Sequence, residues 1–493
     1  MNKKVNKYLK YLAYLPVVYA FIFVFLILDG WQDWGGDFAG YLGQAIAFVN
    51  GDLETYRTNN TYTMNESERV IGPIFYPWGY SVPIALLYKT FGFNILYFKF
   101  FSLLSFTIFL LLLTKIFSKY LSQISCLSIT MLFAFNPFML DYNNLLRSDL
   151  PFLFSSVLAM YIIMNKRNES TQKSHSLILG FSIAISFFIR SNGLFLFIPL
   201  IVRDLEIIKK EKTNKKKLFG SLNTAYIVSI VTIIFWRFIF PAGGSSHFQF
   251  LKQGSLNRAN QLLGDYLEVL PSFIGTVPYS KIWTLIAALF AIFGICLRFK
   301  EDKYIILYVL TNLGIILIWP SYQGLRFLLP VIPFLLFYTF VGIEQTITLS
   351  PLSKNWKKYL LYLPVIYLLG TFLYQGIHYL TNKSSMVKTH GPFEESSQEL
   401  FEYVKTHTAE DATIVFFKPR VFTLLTGRRS FYHTDPDHIL EADYLCFYLQ
   451  SHVDGANYFQ ISPEKMQKLY EKQKILLVYK SKDFLLFETK TQK

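Results

Sequence analysis

A chain of 493 residues that is 52% hydrophobic and only 16% charged, with 49 Phe and 33 Tyr, is too apolar for a soluble protein of its size, in which roughly a quarter of residues carry charge. The net charge of +15 invites a nucleic-acid reading. Its lysines and arginines instead fall in short clusters between long apolar runs, the pattern of a polytopic membrane protein, and that reading loses its support. Cys126, Cys296 and Cys446 lie far apart, the first two within apolar runs, so neither a disulfide framework nor a zinc motif follows.

In chain order, Lys3, Lys4, Lys7 and Lys10 precede an apolar run over residues 11–28. The run is followed by "DGWQDWGG" rather than a small-residue cleavage site, which makes it a retained first span rather than a secretion signal. Residues 29–94 then form a long first outer loop holding Asp29, Asp33, Asp37, Asp52, Glu54, Glu66 and Glu68. In "WGGDFAGYLGQAIAFVNGD", Asp37 lies one helical turn before Tyr41 and two before Ala45, so a helix here shows all three on one face. The stretch "YPWGYSVPIALLYKTFG" is too short for a span flanked by loops and carries Pro77 and Pro83, which suggests an interfacial or re-entrant helix.

Further spans, at about 20 residues for a hydrocarbon core of ~30 Å, fall at 95–117, 123–140, 149–165, 176–190, 192–208, 218–240, 281–298, 304–320, 326–347 and 359–380. The segments on either side of Arg190 are short and separated only by "RSNG", which leaves a tight hairpin open as an alternative. Basic clusters at Lys3 to Lys10, Lys115 and Lys119, Lys166 to Lys173, Lys209 to Lys217, Arg298 to Lys303 and Lys354 to Lys358 mark alternate loops, which the positive-inside rule assigns to the cytoplasm. The protein therefore reads as a multi-pass plasma-membrane protein with a cytoplasmic N-terminus and a tail outside. From residue 381 to 493 the composition turns soluble: "SSQELFEYVKTHT" has helical spacing, while "ATIVFF", "DYLCFYL" and "KILLVY" are β-rich. The expected architecture is an α-helical polytopic domain over 1–380 with about 11 transmembrane helices, then a small extracytoplasmic α/β domain.

The order of "GGDFAGYLGQA", "FYPWGYSVPIALLYKTFG", "RSDLPFLF", "FFIRSNGLFLFIPLI" and "YQGLRFLLPVIPFLL" resembles the GT-C glycosyltransferases. The likeness is to the branch holding protein O-mannosyltransferases and bacterial aminoarabinose transferases, and it covers residues 1–380. It implies transfer of a sugar, hexosyl or pentosyl, from a polyprenyl-phosphate donor to a lipid glycan, polysaccharide or protein acceptor outside the cell. Asp37 matches the family's first-loop aspartate, and a carboxylate within hydrogen-bond reach of an acceptor hydroxyl suits the task of taking its proton. Capping of the following helix is the alternative role. Asp149 matches a recurring acid at the outer mouth of span four, where it would orient the acceptor, help hold a metal, keep the donor's cationic partners in place, or, with Pro151 behind it, cap a helix.

A lipid-phosphate leaving group calls for arginine, whose planar fork pairs two phosphate oxygens at once. Arg326, Arg190 and Arg147 stand at outer span ends, against the positive-inside trend, although snorkelling to headgroups is an alternative. Arg258 is a weaker candidate. Tyr41, Tyr76 and Trp78 are candidate sugar or acceptor contacts, and Trp31 and Trp34 share that character, although tryptophan is expected at any membrane interface. Some relatives carry Asp-Glu where this chain has Asp37-Phe38, leaving Asp33 or Asp29 to compensate if a second acid is needed. No cofactor is certain and a divalent metal stays open, but His247 has no ligand-spaced partner, and His433 and His438 in "YHTDPDH" read more simply as a turn. A transporter or lipid flippase with an extracytoplasmic binding domain is the rival reading. Internal repeats and midplane charges would favour it, and neither is present in the sequence.

Overall fold

The computed structural model describes residues 14–490 except 70–71, 166–171, 211–214, 242–255, 276, 320–321, 352, 382–389 and 451–452. His247 lies outside the described residues. In chain order, the helices begin with α1 (Leu15–Ile27), α2 (Gly36–Asn50), α3 (Leu53–Glu66), α4 (Trp78–Phe91), α5 (Ile95–Phe117), α6 (Gln123–Ala134), α7 (Pro137–Asn143) and α8 (Asp149–Met164). They continue with α9 (Gln172–Ile189), α10 (Phe197–Lys210), α11 (Lys215–Ile239), α12 (Leu256–Val269), α13 (Ser280–Arg298), α14 (Lys303–Ile318), α15 (Ile332–Leu349) and α16 (Lys354–Thr381).

Each expected span is occupied by helix, yet among the described residues only α5, α13 and α15 are long and apolar enough to cross a membrane unaided. The α6 and α7 pair adds a fourth if counted as one span bent by 51°. Chemistry visible in the sequence interrupts some of the expected spans. Pro137 stands at the first turn of α7 behind Asn136, whose side chain accepts a hydrogen bond from the Met139 amide, and this cap forces the bend. Short 3-10 turns at Ser191–Leu196 and Gly324–Leu328 replace the first helical turns expected after Arg190 and at Arg326. Such turns tighten the backbone and leave side chains aimed away from the helix axis.

Large apolar side chains face outward along the bundle, Phe238 being 85% exposed, as expected where lipid replaces water. At one end of the bundle the basic loops meet: the Arg298 guanidinium lies 5.2 Å from the Tyr120 ring, Lys303 pairs with Glu206 at 3.0 Å, and the Ser122 amide donates to Glu344 at 3.0 Å. The opposite end carries α2, α3 and α4 and the C-terminal segment.

That segment consists of α17 (Glu395–His407), β1 (Thr413–Val415), α18 (Pro419–Thr426), β2 (Arg429–Phe431), α19 (Pro436–Ile439), β3 (Tyr444–Tyr448), α20 (Pro463–Glu471), β4 (Ile475–Lys480) and β5 (Phe484–Thr489). The sheet order is β2-β1-β3-β5-β4, with β1 parallel to both neighbours and the other pairs antiparallel. Two of these strands, β2 and β5, are absent from the sequence reading.

The loop over residues 29–94 is built into this C-terminal layer. Trp34 is fully buried among the rings of Phe401, Phe416, Phe417, Tyr448 and Phe484. Thr63 of α3 donates to the Ser430 carbonyl at 2.7 Å, and the Glu68 amide donates to the Tyr432 carbonyl at 3.1 Å. Trp34 is therefore a core residue rather than an interfacial or sugar-stacking one.

Candidate functional site

The site forms where the ends of α8, α9 and α14 meet the start of α2. Gly35 stands at the N-cap of α2 and offers no side-chain cap, so Asp37 falls within the first turn, where the helix dipole favours a carboxylate. Both carboxylate oxygens are engaged: Oδ2 accepts from Arg326 Nη1 at 2.7 Å and Oδ1 from the Tyr76 hydroxyl at 2.9 Å. Asp37 is thus held by an arginine and a tyrosine and caps nothing. Tyr76 reaches it because residue 40 is glycine; a Cβ there would stand 2.3 Å from the Tyr76 ring.

Burial raises the carboxyl pKa of Asp37, but the Arg326 guanidinium, with help from Arg147 and Tyr76, more than offsets this and holds it well below the usual carboxylate range. Burial and the facing Asp37 charge push the Tyr76 hydroxyl well above its ordinary value. At neutral pH, Asp37 is ionised and Tyr76 is a hydrogen-bond donor.

The other two outward arginines are paired in the same way. Arg190, between α9 and the 3-10 turn, forms an ion pair with Asp149 Oδ1, whose other oxygen accepts from the Tyr142 hydroxyl at 3.1 Å. Asp149 opens α8 without a capping bond of its own, since the N-cap is Ser148. Arg147 pairs with Asp33, so Asp33 neutralises an arginine instead of standing as a second acid beside Asp37. Asp29 ties the loop down, accepting from the Trp31 amide at 3.1 Å and the Asn144 side chain at 2.8 Å.

Two cavities meet at the Asp37–Arg326 pair. The larger, about 420 Å³, is lined by Asp37, Tyr41, Tyr76, Asp149, Arg190 and Arg326, with Arg69 at its wall and Tyr432 and Phe459 contributed by the C-terminal segment. Three arginines against two aspartates leave it net cationic. The smaller, about 320 Å³, is lined by Asp33, Asp37, Arg147, Gln323 and Arg326 among others. Such volumes suit small polar head groups. Side-chain exposure separates the two acids: Asp37 is 34% exposed and Asp149 only 3%, so Asp37 is the more accessible of the two. Tyr41 faces the larger cavity and its hydroxyl is within 2.8 Å of Ser148 Oγ.

Trp78 is placed elsewhere. It is 4% exposed, stacked between Phe75 and Phe240, and its indole N–H donates to the Pro241 carbonyl at 2.9 Å. Buried and lining neither cavity, it is not placed as a sugar contact. Arg258, exposed on α12, lines neither cavity. Among the described residues no group of three or more His, Cys, Asp or Glu side chains is placed to hold a metal. The arginine-paired carboxylates of Asp37 and Asp149 do not fit a resident divalent cation. His433 Nδ1 accepts from the Asp435 amide at 3.0 Å, the local turn expected for that stretch.

Two residues of the site carry no sequence signal of their own. Gln323 faces both cavities and accepts from Arg326; its place three residues before Arg326 is the sole hint. Arg420, almost 350 positions from Tyr76 in the chain, donates to the Tyr76 hydroxyl at 3.0 Å.

The family model for dolichyl-phosphate-mannose-protein mannosyltransferase matches residues 73–236, which hold Tyr76, Arg147, Asp149 and Arg190 but neither Asp37 nor Arg326. Comparison with curated protein sequences finds no match. Among solved structures, ArnT from Cupriavidus metallidurans superposes over 96% of this chain and 97% of its own, with a TM-score of 0.57 at 11% identity bound to undecaprenyl phosphate and 0.58 at 12% in the apo state. The archaeal oligosaccharyltransferase AglB from Archaeoglobus fulgidus, in complex with an inhibitory peptide and a dolichol-phosphate, superposes over 98% of this chain and 75% of its own, with a TM-score of 0.55 at 10% identity. The helical bundle, the helices of residues 29–94 and the C-terminal sheet together give this chain the fold of ArnT and of AglB.

Proposed function

We propose that the protein is an integral-membrane glycosyltransferase that moves a sugar from a polyprenyl-phosphate donor to a hydroxyl-bearing acceptor, a glycan, lipid or protein, on the extracytoplasmic face. The observation that carries this reading is the Asp37–Arg326 pair at the junction of two cavities, on a fold of which one solved ArnT structure is bound to undecaprenyl phosphate and one AglB structure to a dolichol-phosphate. The basic loops gather at the other end of the bundle, which supports placing the site and the C-terminal segment outside.

In the reaction, the acceptor oxygen forms a bond to the anomeric carbon as the bond from that carbon to the lipid phosphate breaks. The electron pair leaves on the phosphate, which Arg326 and Arg190 neutralise, and the acceptor proton passes to Asp37. While Arg326 pairs with Asp37 the carboxylate is a weak base. A bound phosphate competes for the guanidinium, frees Oδ2 and raises its basicity, so donor binding prepares the base. Arg190 lies over Phe327 at 4.9 Å, ready to face a second phosphate oxygen.

Mass spectrometry of lipids extracted from the purified protein tests the reading. A co-purifying polyprenyl-phosphate sugar supports it and names the sugar, hexose or pentose. Recovery of an unrelated solute that the protein carries across vesicles would contradict it.

A further inference from the structure

The C-terminal segment places one cation where no transferase role is yet assigned. Arg420 is 5% exposed, sits at the second residue of α18 and makes no ion pair among the described residues. A buried guanidinium without a carboxylate is costly, and the start of a helix is the wrong end for a positive charge. Its Nε is buried with no hydrogen-bond partner, which adds to the cost.

What Arg420 does contact lies on the first outer loop. Nη2 donates to the Pro73 carbonyl at 2.7 Å and Nη1 to the Tyr76 hydroxyl at 3.0 Å, with Cζ 5.4 Å from the Tyr76 ring. The approach requires Gly72, which has φ 117° and whose Cβ, if present, would stand 3.0 Å from Nη1. Because that hydroxyl accepts from Arg420, its single proton is directed to Asp37 Oδ1. The bonds therefore run in one direction, from Arg420 through Tyr76 to Asp37, and a charged donor upstream strengthens the bond downstream.

We propose that Arg420 is a positioning residue of the transferase site, supplied by the C-terminal segment, which fixes the proton of Tyr76 on Asp37 and so holds the carboxylate with Oδ2 turned toward Arg326 and the cavities. The proposal rests on the glycosyltransferase reading for its purpose but not for its measurement. A site assembled this way works only while the soluble layer is docked on the loop, which gives that layer a role in catalysis without touching substrate.

The groups facing Asp37 are Arg326, Arg147, Tyr76 and Tyr41, and Arg326 dominates. The test therefore uses full-length protein carrying Arg326→Gln, in which Asp37 titrates within an accessible range, followed by infrared difference spectroscopy against pH. The Asp37 carboxyl band is assigned by its loss when Asp37→Asn is added. Adding Arg420→Met is expected to raise the midpoint by about half a pH unit or more, as removal of support for the charged form requires. Adding Tyr76→Phe raises it at least as far, and Arg420→Met then adds nothing. Arg420→Lys, which keeps the charge, is expected to give a smaller rise and serves if the methionine variant does not fold. An unchanged midpoint in both Arg420 variants, or a rise that persists in full on the Tyr76→Phe background, would overturn the proposal. Because no substrate is used, a protein that shows this coupling yet transfers no sugar would refute the transferase reading alone.

Discussion

Asp37 and Arg326 illustrate how charge pairing sets the resting state of one site. The carboxyl is depressed, so the pairing is present at neutral pH and is lost only as pH falls through the folded-state pKa, which lies below the ordinary value of about 4. The kcat/KM for donor, which reports the donor-free enzyme, is accordingly expected to hold from neutrality down to about pH 4, the ordinary carboxylate value, and Arg326→Ala should bring an acid limb up into that range; a pH profile of kcat/KM checks both. Arg326→Lys keeps a charge but not the fork that reaches Asp37 and Gln323 together. On the proposed function it is expected to lower affinity for a polyprenyl-phosphate probe by about tenfold or more, measured by isothermal titration, from the loss of one charge-assisted bond of ~1.5–3 kcal/mol. At this scale the sequence showed much of the site, because an acid or arginine at the end of an apolar run is conspicuous. It could not show pairing: nothing in "KPRVF" marks Arg420 as a neighbour of Tyr76, and Trp78 has the composition of a sugar contact but is packed among phenylalanines.

Among the elements, the short 3-10 turns and the docked first loop determine the geometry. Hydropathy located the apolar segments well, since a hydrocarbon core imposes length and composition together. It overstated their regularity at Arg190 and Arg326, where the chain forms 3-10 turns that aim the two guanidiniums into the cavity. In the soluble layer β1, β3 and β4 were legible from β-branched and aromatic runs. The three-residue β2 has no such pattern and owes its existence to pairing with β1 and contact with α3. Trp34 binds loop to sheet by inserting into a pocket of five rings, and Trp34→Ala is expected to cost about 3–5 kcal/mol. The readout is limited proteolysis, with the C-terminal segment released earlier in the variant than in the wild type. Unchanged protection would mean that the Thr63 and Glu68 hydrogen bonds suffice to hold the layers together.

Among the described residues, Lys119, Arg298 and Lys303 gather at one end of the molecule, and the Asp37–Arg326, Asp149–Arg190 and Asp33–Arg147 pairs lie with the sheet at the other. Cysteine labelling checks the orientation. In a Cys296→Ser background, Asp411→Cys should react with a membrane-impermeant maleimide in intact cells, whereas Lys119→Cys should react only after the membrane is opened. The reverse result would put the site in the cytoplasm. The central claim is that Asp37 acts in the chemical step and not in holding the fold or the lipid. It is tested most directly by single-turnover transfer from the co-purified polyprenyl-phosphate sugar, with undecaprenyl phosphate binding measured in parallel. For Asp37→Asn the account predicts binding equal to or tighter than wild type, because Arg326 is released, and a rate lower by about 10²-fold or more. A rate equal to the wild type with binding intact would contradict it.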